Sequence, residues 1–294
     1  MIGIDWGTSS FRAWRLNPGG TVLDRAESER GILTIPPGGF PATLRATISP
    51  WLAQGETLIL LCGMVGSRQG WQEAPYLPCP AGPAEIAAAL TPLAFDGARC
   101  LLVPGLTTRD AAGIPDVMRG EETKLIGLLS VLGEAPALAC LPGTHAKWAR
   151  IAGHRIEGFT THMTGETRAL LLEHSILGRL AEPGPFDAPA FLRGVRRARD
   201  AAGLLHHIFG TRALGLMGEL AAEETDSYLS GVLIGHEVAA ATAGAPIPDP
   251  VELAGSATLT RAYGLAFGEF GLAFRLHDPD LALRGLALIA ETLR

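Results

Sequence analysis

The sequence predicts an α/β protein built of two halves that follow a similar plan. Residues 1–27 alternate short strand patterns with polar turns, which indicates an antiparallel meander. Two apolar runs, TLILLC at 57–62 and ALACL at 137–141, are typical of strands buried on both faces of a sheet. The second run precedes a hairpin pattern around Gly153. Since helical patterns follow the strands in both halves, we expect mixed sheets flanked by helices.

The individual elements follow from periodicity and turn residues. Strand patterns cover 1–6, 11–16, 21–27, 57–62 and 99–103 in the first half, and 137–141, 148–151 and 155–159 in the second. The main helical patterns cover 40–52, 83–90, 121–132, 164–180 and 281–293. No composition-biased linker separates the halves. The predicted domains are therefore 1–115 and 116–278, with a C-terminal helix at about 279–294 that packs back on the first domain.

Composition and charge exclude several classes of protein. Of the 294 residues, 47% are hydrophobic and 18% are charged, which excludes a disordered chain. The net charge is −6, and the densest basic segment, Arg193–Arg199, lacks aromatic residues, which favours a solvated helix face over a nucleic-acid patch. No apolar run reaches the ~20 residues of a membrane span, and the N-terminus lacks a signal-peptide pattern. The four cysteines form no CxxC pair, which favours free thiols in a reducing, cytoplasmic compartment.

The first candidate site is the turn after the opening strand, Asp5-Trp6-Gly7-Thr8-Ser9-Ser10. Gly7 permits a tight turn that aims backbone N–H groups at an anion, and the hydroxyls of Thr8 and Ser9 add donors. Asp5 stands where a carboxylate can hold Mg²⁺ through water. These residue types are also common in ordinary hairpin turns, so this motif alone leaves both interpretations open.

A second turn, Leu141-Pro-Gly-Thr-His-Ala-Lys-Trp148, also follows a buried strand. Gly143 and Thr144 suit a second phosphate cradle, and Lys147 suits the charge of a transferring phosphoryl group. An ordinary hairpin turn is again the alternative. Each turn begins one half of the weak internal repeat, so the pair favours a nucleotide held between them.

The third candidate is Asp116-Val-Met-Arg-Gly-Glu-Glu-Thr123 at the start of a helix. In the functional interpretation, Glu121 or Glu122 takes the proton of an attacking hydroxyl and Arg119 holds a substrate anion. Acidic residues at a helix N-terminus also simply complement the helix dipole.

The loop after the buried strand at 57–62 is the fourth candidate. Ser67, Arg68 and Trp71 lie where α/β proteins commonly bind ligands, and they suit a polar, carboxylated ligand. A plain surface role for Arg68 is the alternative. The chain has no GxxxxGK[ST] motif, and its histidines lack metal-ligand spacing such as HExxH.

Several segments carry a family resemblance. In order, they include IGIDWGTSSFRAWRL, CGMVGSRQGWQEAPYLPCPAG, VPGL, DVMRGEET, LPGTHAKW and FTTHMTGE. They resemble the 2-dehydro-3-deoxygalactonokinase family of the actin, hexokinase and Hsp70-like ATPase superfamily. The resemblance implies a two-domain, actin-like (ribonuclease H-like) ATPase fold with the active site in a cleft between the domains. It also implies ATP and Mg²⁺ as cofactors, and transfer of the γ-phosphate to the 6-hydroxyl of 2-dehydro-3-deoxy-D-galactonate in galactonate catabolism.

The resemblance also implies roles for particular residues. Asp5–Ser9 and Gly143–Lys147 would be the two phosphate loops, and Gly255 would belong to an adenosine-side turn. The catalytic carboxylate would be Glu121 or Glu122, and Asp5 would hold the metal or share in handling the proton.

One departure from the family pattern is Ala146, where we expect serine.

Two other functions remain as alternatives to this kinase activity. One is a kinase for another sugar or 2-keto-3-deoxy sugar acid on the same scaffold, and the other is a non-catalytic ATP-binding regulator. Besides the sugar acid, the expected partner is a second copy in a homodimer, with no nucleic acid and no membrane.

Overall fold

The computed structural model describes residues 1–244, 246–278 and 280–293, so Pro279 and Arg294, the ends of the predicted C-terminal helix, lie outside the described residues. No helix in the described ranges is long and apolar enough to cross a membrane. The strands and helices up to residue 132 are β1 Ile2–Trp6, β2 Phe11–Leu16, β3 Val22–Ser28, α1 Phe40–Ala53, β4 Leu58–Cys62, β5 Tyr76–Pro78, α2 Pro83–Ala88, β6 Thr91–Leu93, β7 Arg99–Leu102, β8 Gly105–Arg109, β9 Pro115–Met118 and α3 Glu121–Leu132. The later elements are β10 Ala137–Leu141, β11 Ala146–Ala152, β12 Arg155–His162, α4 Thr164–His174, α5 Ala188–Ala198, α6 Leu204–Leu216, α7 Thr225–Ala241, β13 Val251–Leu253, α8 Ala257–Phe270, β14 Phe274–Leu276 and α9 Leu281–Glu291.

The chain divides into two compact units. The first unit contains Met1–Pro136, Ala149–Phe159 and Asp278–Arg294, and the second contains Ala137–Trp148 and Thr160–His277. The predicted boundary near residue 115 stays a prediction.

A mixed six-stranded sheet forms the centre of the first unit, with strand order β3-β2-β1-β4-β7-β6. β1 pairs antiparallel with β2 and parallel with β4, so the meander and the buried apolar run meet on either side of β1. Helix α1 places Phe40, Leu44, Ile48 and Trp51 in the core beneath this sheet. A small three-stranded sheet, β5-β8-β9, also belongs to this unit.

Two glycines set the packing of α3 against α9. A Cβ on Gly127 would lie 2.0 Å from the Leu281 carbonyl oxygen, and a Cβ on Gly285 would lie 1.9 Å from the Thr123 carbonyl oxygen. The two helix backbones therefore touch, which only glycine permits. This contact fixes the first turn of α3, where Glu121 and Glu122 lie.

In the second sheet the strand order is β12-β11-β10-β13-β14. β13 pairs parallel with both β10 and β14, and its residues Val251 and Leu253 are buried in the core of the second unit. Helices α5 and α7 also approach closely, because a Cβ on Gly231 would lie 2.0 Å from the Phe191 carbonyl oxygen.

The predicted helix at 164–180 was too long. Helix α4 ends at His174, and Ser175 is extended, with φ −111° and ψ 173°. The Ser175 hydroxyl donates to the Leu171 carbonyl at 2.5 Å and accepts from the Leu177 N–H at 3.0 Å. This local hydrogen bonding replaces the helical pattern, as serine side chains often do, and a short 3-10 turn follows at Gly178–Leu180.

Candidate active site

Asp5 lies at the end of β1, at the centre of the sheet of the first unit. It is buried, with 9% of its surface exposed. Its Oδ2 accepts a hydrogen bond of 2.7 Å from the guanidinium of Arg12, its partner on β2. Gly63 lies on the other side, with φ 93°, and a Cβ there would be 3.1 Å from Asp5 Oδ1. The carboxylate is therefore held in one orientation by a cation and a glycine.

The turn after Asp5 projects its polar side chains into solvent. The N–H of Gly7 donates to the Ser10 carbonyl at 2.9 Å, which closes the turn. Thr8 and Ser9 are exposed. Gly31 presses against the turn, because a Cβ there would lie 2.2 Å from the Thr8 carbonyl oxygen. A backbone hydrogen bond closes the turn and its outer side is exposed, which suits a phosphate loop and equally a plain hairpin.

Two glycines with positive φ bring the start of α3 to the end of β4. Gly120 has φ 103°, and a Cβ on it would lie 3.2 Å from the Cα of Gly63. Both acidic residues of the first helical turn then reach back to backbone donors. Glu122 accepts from the Gly120 N–H at 2.5 Å, and Glu121 accepts from the Arg119 N–H at 3.2 Å. Both carboxylates thus complement the positive end of the helix dipole, and this role is compatible with a catalytic one.

The two carboxylates differ in exposure. Glu122 is fully buried, whereas Glu121 is partly exposed. Burial, and next the charge of Glu121, raises the pKa of Glu122 to about 7, although hydrogen bonds from Thr123 and Gly120 oppose the rise. Glu121 is therefore the more accessible of the two carboxylates.

Arg119 is a buried cation with spare hydrogen-bonding capacity. Only 8% of it is exposed, and its guanidinium carbon stacks 4.4 Å from the centre of the Tyr76 ring. Nη2 donates to the Ala74 carbonyl at 2.7 Å. Nε and Nη1 find no partner among the described residues, and neither does the buried hydroxyl of Ser67. Gly66 makes room for this guanidinium, since a Cβ there would lie 3.0 Å from Nη1.

Arg68 and Trp71, predicted with Ser67, have other surroundings. The Arg68 side chain is 87% exposed and lies 3.5 Å from the Glu73 carboxylate. Trp71 packs against the core and stacks on Phe40 with ring centres 6.4 Å apart. The structure therefore gives Arg68 a surface position and Trp71 a packing role, and their predicted part in binding stays a prediction.

The second turn lies in the second unit and is fixed by the start of α4. The Glu166 N–H donates to the Thr144 carbonyl at 3.0 Å, and the Glu166 carboxylate contacts His145. A Cβ on Gly165 would lie 2.6 Å from the Gly143 carbonyl oxygen, so turn and helix are in backbone contact. Gly143 is partly exposed and Thr144 is exposed, and their predicted part in a phosphate cradle stays a prediction.

Two residues of this turn point inward. Lys147 is only 3% exposed, and its ammonium donates to the His145 carbonyl at 3.0 Å. Ala146 is fully buried, so the position where the family pattern has serine faces the interior. A serine hydroxyl at this position would therefore face the interior and not the accessible side of the turn.

A cavity of about 370 Å³ opens beside this turn, within the second unit. The polar side of the cavity is formed by Arg168, Asp226 and Ser230. The Nε of Arg168 donates to Asp226 at 2.7 Å and to Ser230 at 3.0 Å. Other lining residues come from the turn, α4, α7, α8 and the segment before α5, and they include Gly143, Thr144, Thr164, Phe186, Ile234, Thr258 and Tyr263. A mostly apolar cavity with a few polar groups beside a glycine turn suits a nucleoside.

Gly255, the predicted adenosine-side residue, stands next to the second turn. A Cβ on it would lie 3.5 Å from the Cδ of Pro142, and the Ala254 N–H donates to the Cys140 carbonyl at 3.1 Å. The following residues Thr258 and Leu259 line the cavity. The structure thus brings two predicted segments, distant in sequence, to the same cavity.

Comparison with known proteins decides the family. The family model described as 2-keto-3-deoxy-galactonokinase matches residues 5–289. The chain belongs to this family.

Two curated relatives and two solved structures are similar to this 2-keto-3-deoxy-galactonokinase family member. The “Probable 2-dehydro-3-deoxygalactonokinase DgoK1” of Rhizobium meliloti (strain 1021) is 42% identical over 99% of this chain and 96% of its own. The 2-dehydro-3-deoxygalactonokinase of Escherichia coli (strain K12) is 37% identical over 99% and 98%. A crystal structure from Sinorhizobium meliloti, described with the same kinase name, has a TM-score of 0.91 at 40% identity and covers 100% of this chain and 98% of that one. The activator of the 2-hydroxyisocaproyl-CoA dehydratase from Clostridium difficile shares the fold alone, with a TM-score of 0.52 at 10% identity over 100% and 95% of the chains. The predicted family and the predicted two-domain actin-like ATPase fold are both confirmed.

The residues of this family member also test whether a metal fits. In the part of the chain that the structure describes, no group of three or more His, Cys, Asp or Glu side chains could hold an ion. Magnesium commonly binds to one or two carboxylates, several waters and substrate phosphates. The single carboxylate of Asp5, with Oδ2 paired to Arg12, fits that mode and not an all-protein cage.

Several residues of the site were not predicted from sequence. Arg12 could have been found, because a tight hairpin places it opposite Asp5 on the neighbouring strand. Arg168 and Asp226 lie 58 positions apart, and no local pattern joins them. Phe186 is likewise distant in sequence from both predicted phosphate turns.

Proposed function

We propose that this chain transfers the γ-phosphoryl group of ATP to the 6-hydroxyl of 2-dehydro-3-deoxy-D-galactonate and so forms the 6-phosphate for galactonate catabolism. The observation that carries the proposal is the family match over residues 5–289, together with the full-length similarity to the Escherichia coli enzyme of that name. The sites of both units support it, because phosphoryl transfer needs little beyond positioning and charge neutralisation.

The substrate carboxylate binds, in this proposal, to Arg119 and Ser67. A buried guanidinium without a carboxylate partner is costly unless a ligand completes it. A bound anion would accept hydrogen bonds from Nε and Nη1 of Arg119 and from the Ser67 hydroxyl, which have no partner among the described residues. A 2-keto-3-deoxy sugar acid carries one carboxylate, so one such subsite suffices.

Glu121 acts as the general base toward the 6-hydroxyl. Its partial exposure favours it over the fully buried Glu122, which holds the Gly120 turn through its hydrogen bond to the backbone. Placing the hydroxyl beside a fixed carboxylate supports transfer through both orientation and proton removal.

The nucleotide binds to the remaining groups. Gly7, Thr8 and Ser9 in the first unit, and Gly143 and Thr144 in the second, contact phosphates through backbone and side-chain donors, and the buried ammonium of Lys147 adds positive charge to the second turn. The cavity beside Gly255 holds the adenosine. Asp5 would hold Mg²⁺ through water, and the bound ion would neutralise phosphate charge.

The decisive test is incubation of the purified protein with ATP, Mg²⁺ and the sugar acid, followed by mass and phosphorus NMR analysis of the product. We expect one phosphate ester at C6 and stoichiometric ADP. A catalytically impaired control, Glu121→Gln, should form both at least about 100-fold more slowly. ADP release that does not depend on the sugar acid, or a product phosphorylated elsewhere, would refute the assignment; phosphorylation of a different 2-keto-3-deoxy acid instead would favour the alternative substrate.

We also propose a cytoplasmic location and a homodimer. All four cysteines are free thiols, which suits a reducing compartment. The outer face of α6 exposes large apolar side chains, among them Leu205, Phe209 and Leu216, and a second copy could cover them. Light scattering of the purified protein would test the dimer, and a monomer at all concentrations would exclude it.

A further inference from the structure

Glu237, on α7, is a buried carboxylate that no predicted motif contains. It is 3% exposed. Its Oε1 accepts a hydrogen bond of 2.7 Å from the indole N–H of Trp148. Its Oε2 accepts from the hydroxyl of Tyr263 at 2.7 Å and also from the hydroxyl of Thr164. Three hydrogen bonds from three elements therefore converge on one side chain.

The three donors belong to the elements that frame the cavity of the second unit. Trp148 is the last residue of the second turn and lies on β11. Thr164 is the first residue of α4, and Tyr263 lies on α8; both line the cavity. Burial and the neighbouring Glu237 raise the pKa of Tyr263, so its hydroxyl keeps the proton that it donates.

The start of α4 is also the support of the second turn. Gly165 and Glu166, next to Thr164, contact the backbone of Gly143 and Thr144. A shift of Thr164 would therefore move the turn itself. Glu237 therefore supports the turn at two places: directly at Trp148, and through Thr164 at the helix start that contacts Gly143 and Thr144.

We propose that Glu237 is a positioning residue that fixes the second turn, α4 and α8 in the arrangement that binds the nucleotide. The inference rests on the proposed assignment of this cavity to ATP. Glu237 does not touch the nucleotide; it acts through Trp148, Thr164 and Tyr263. Its loss should weaken nucleotide binding and leave the sugar-acid subsite at Arg119 unchanged.

The test compares Glu237→Leu with Glu237→Gln. Leucine removes the acceptor of all three donors. Glutamine can keep all three contacts, because its oxygen accepts from Trp148 while its amide donates to the two hydroxyls, which can also accept. A matched control is His207→Leu. His207 is fully buried on α6 and hydrogen-bonds at 2.9 Å to His236, the neighbour of Glu237 on α7, so this change disturbs the same helix away from the cavity.

Two quantities are measured: the Kd of a non-hydrolysable ATP analogue by calorimetry, and the KM of the sugar acid at saturating ATP. For Glu237→Leu we expect the nucleotide Kd to rise at least about tenfold, the effect of losing one well-placed hydrogen bond. The KM of the sugar acid should change less than about threefold, while Glu237→Gln and His207→Leu should bind nucleotide within about threefold of the parent protein.

Other outcomes overturn the proposal. A folded Glu237→Leu protein with unchanged nucleotide Kd would show that the network is only structural, and equal losses in Glu237→Leu and His207→Leu would indicate general loosening of α7. If Glu237→Leu does not fold, Trp148→Phe replaces it, because it removes one donor outside the cavity lining; unchanged Kd in that variant also refutes the role. Absence of kinase turnover in the parent protein would instead refute the proposed reaction, since the nucleotide Kd is measured without turnover.

Discussion

Replacing Glu122 by glutamine should stabilise the protein at alkaline pH. The carboxyl is fully buried, and burial raises its pKa from 4.5 to about 7. In the unfolded chain the group ionises at the lower value, so the folded state binds the proton more tightly. Between those two pH values the unfolded chain carries fewer protons than the folded one, and stability falls as pH rises. Glutamine avoids this ionisation and can still accept from the Gly120 N–H.

The size of the effect follows from the two pKa values. A rise from 4.5 to about 7 corresponds to about 3 kcal/mol, lost progressively as the pH rises from about 4.5 to about 7. Denaturation by guanidinium chloride, with EDTA and without ATP, should therefore find Glu122→Gln more stable than the parent protein by up to about 3 kcal/mol at pH 8 and nearly equal at about pH 4. Glu121→Gln, at the partly exposed neighbour, should give a smaller gain of the same sign, because it removes one cause of the raised pKa. A Glu122→Gln protein that is less stable at pH 8, or a difference that does not vary with pH, would refute this account of the buried carboxylate.

Three further predictions concern the first unit. Glu121→Gln should lower kcat at least about 100-fold with little change in the KM of ATP, because it removes the general base but no nucleotide contact; unchanged turnover in a steady-state assay would exclude the role. Arg119→Met should raise the KM of the sugar acid roughly ten- to hundredfold through loss of charged hydrogen bonds, whereas Arg45→Met, a control on the surface of α1, should stay within about twofold. Gly285→Ala should destabilise the protein by about 3 kcal/mol or more and lower kcat, because a Cβ there would lie 1.9 Å from the Thr123 carbonyl at the start of α3; a thermal midpoint like that of the parent protein would contradict the close packing of α3 and α9.

The parts of the fold that depend on local patterns could be predicted from the sequence. The meander, the apolar strands β4 and β10, and the acidic start of α3 all follow from periodicity and turn residues. The end of α4 could not be predicted, because one serine side chain there competes with the helical hydrogen bonds.

The candidate site likewise has features that the sequence indicates and features that only the folded structure reveals. Glycine turns and adjacent polar residues mark Asp5, Gly143 and Glu121 in the sequence. Burial is set by tertiary packing, so nothing local indicated that Lys147 and Glu122 are enclosed while Glu121 is partly exposed. Contacts between distant segments, such as the Arg168–Asp226 pair and the three donors to Glu237, exist only after folding, and no single segment encodes them.

The substrate assignment is tested most directly by comparing kcat/KM for 2-dehydro-3-deoxy-D-galactonate with kcat/KM for the gluconate epimer. Both acids carry the carboxylate that Arg119 is proposed to bind, so the comparison isolates recognition of the sugar chain. We predict ATP-dependent phosphorylation of both at C6 or of the galactonate compound alone, with the higher kcat/KM for the galactonate compound. Preference for the gluconate epimer, or no phosphorylation of either acid, would contradict the proposed function.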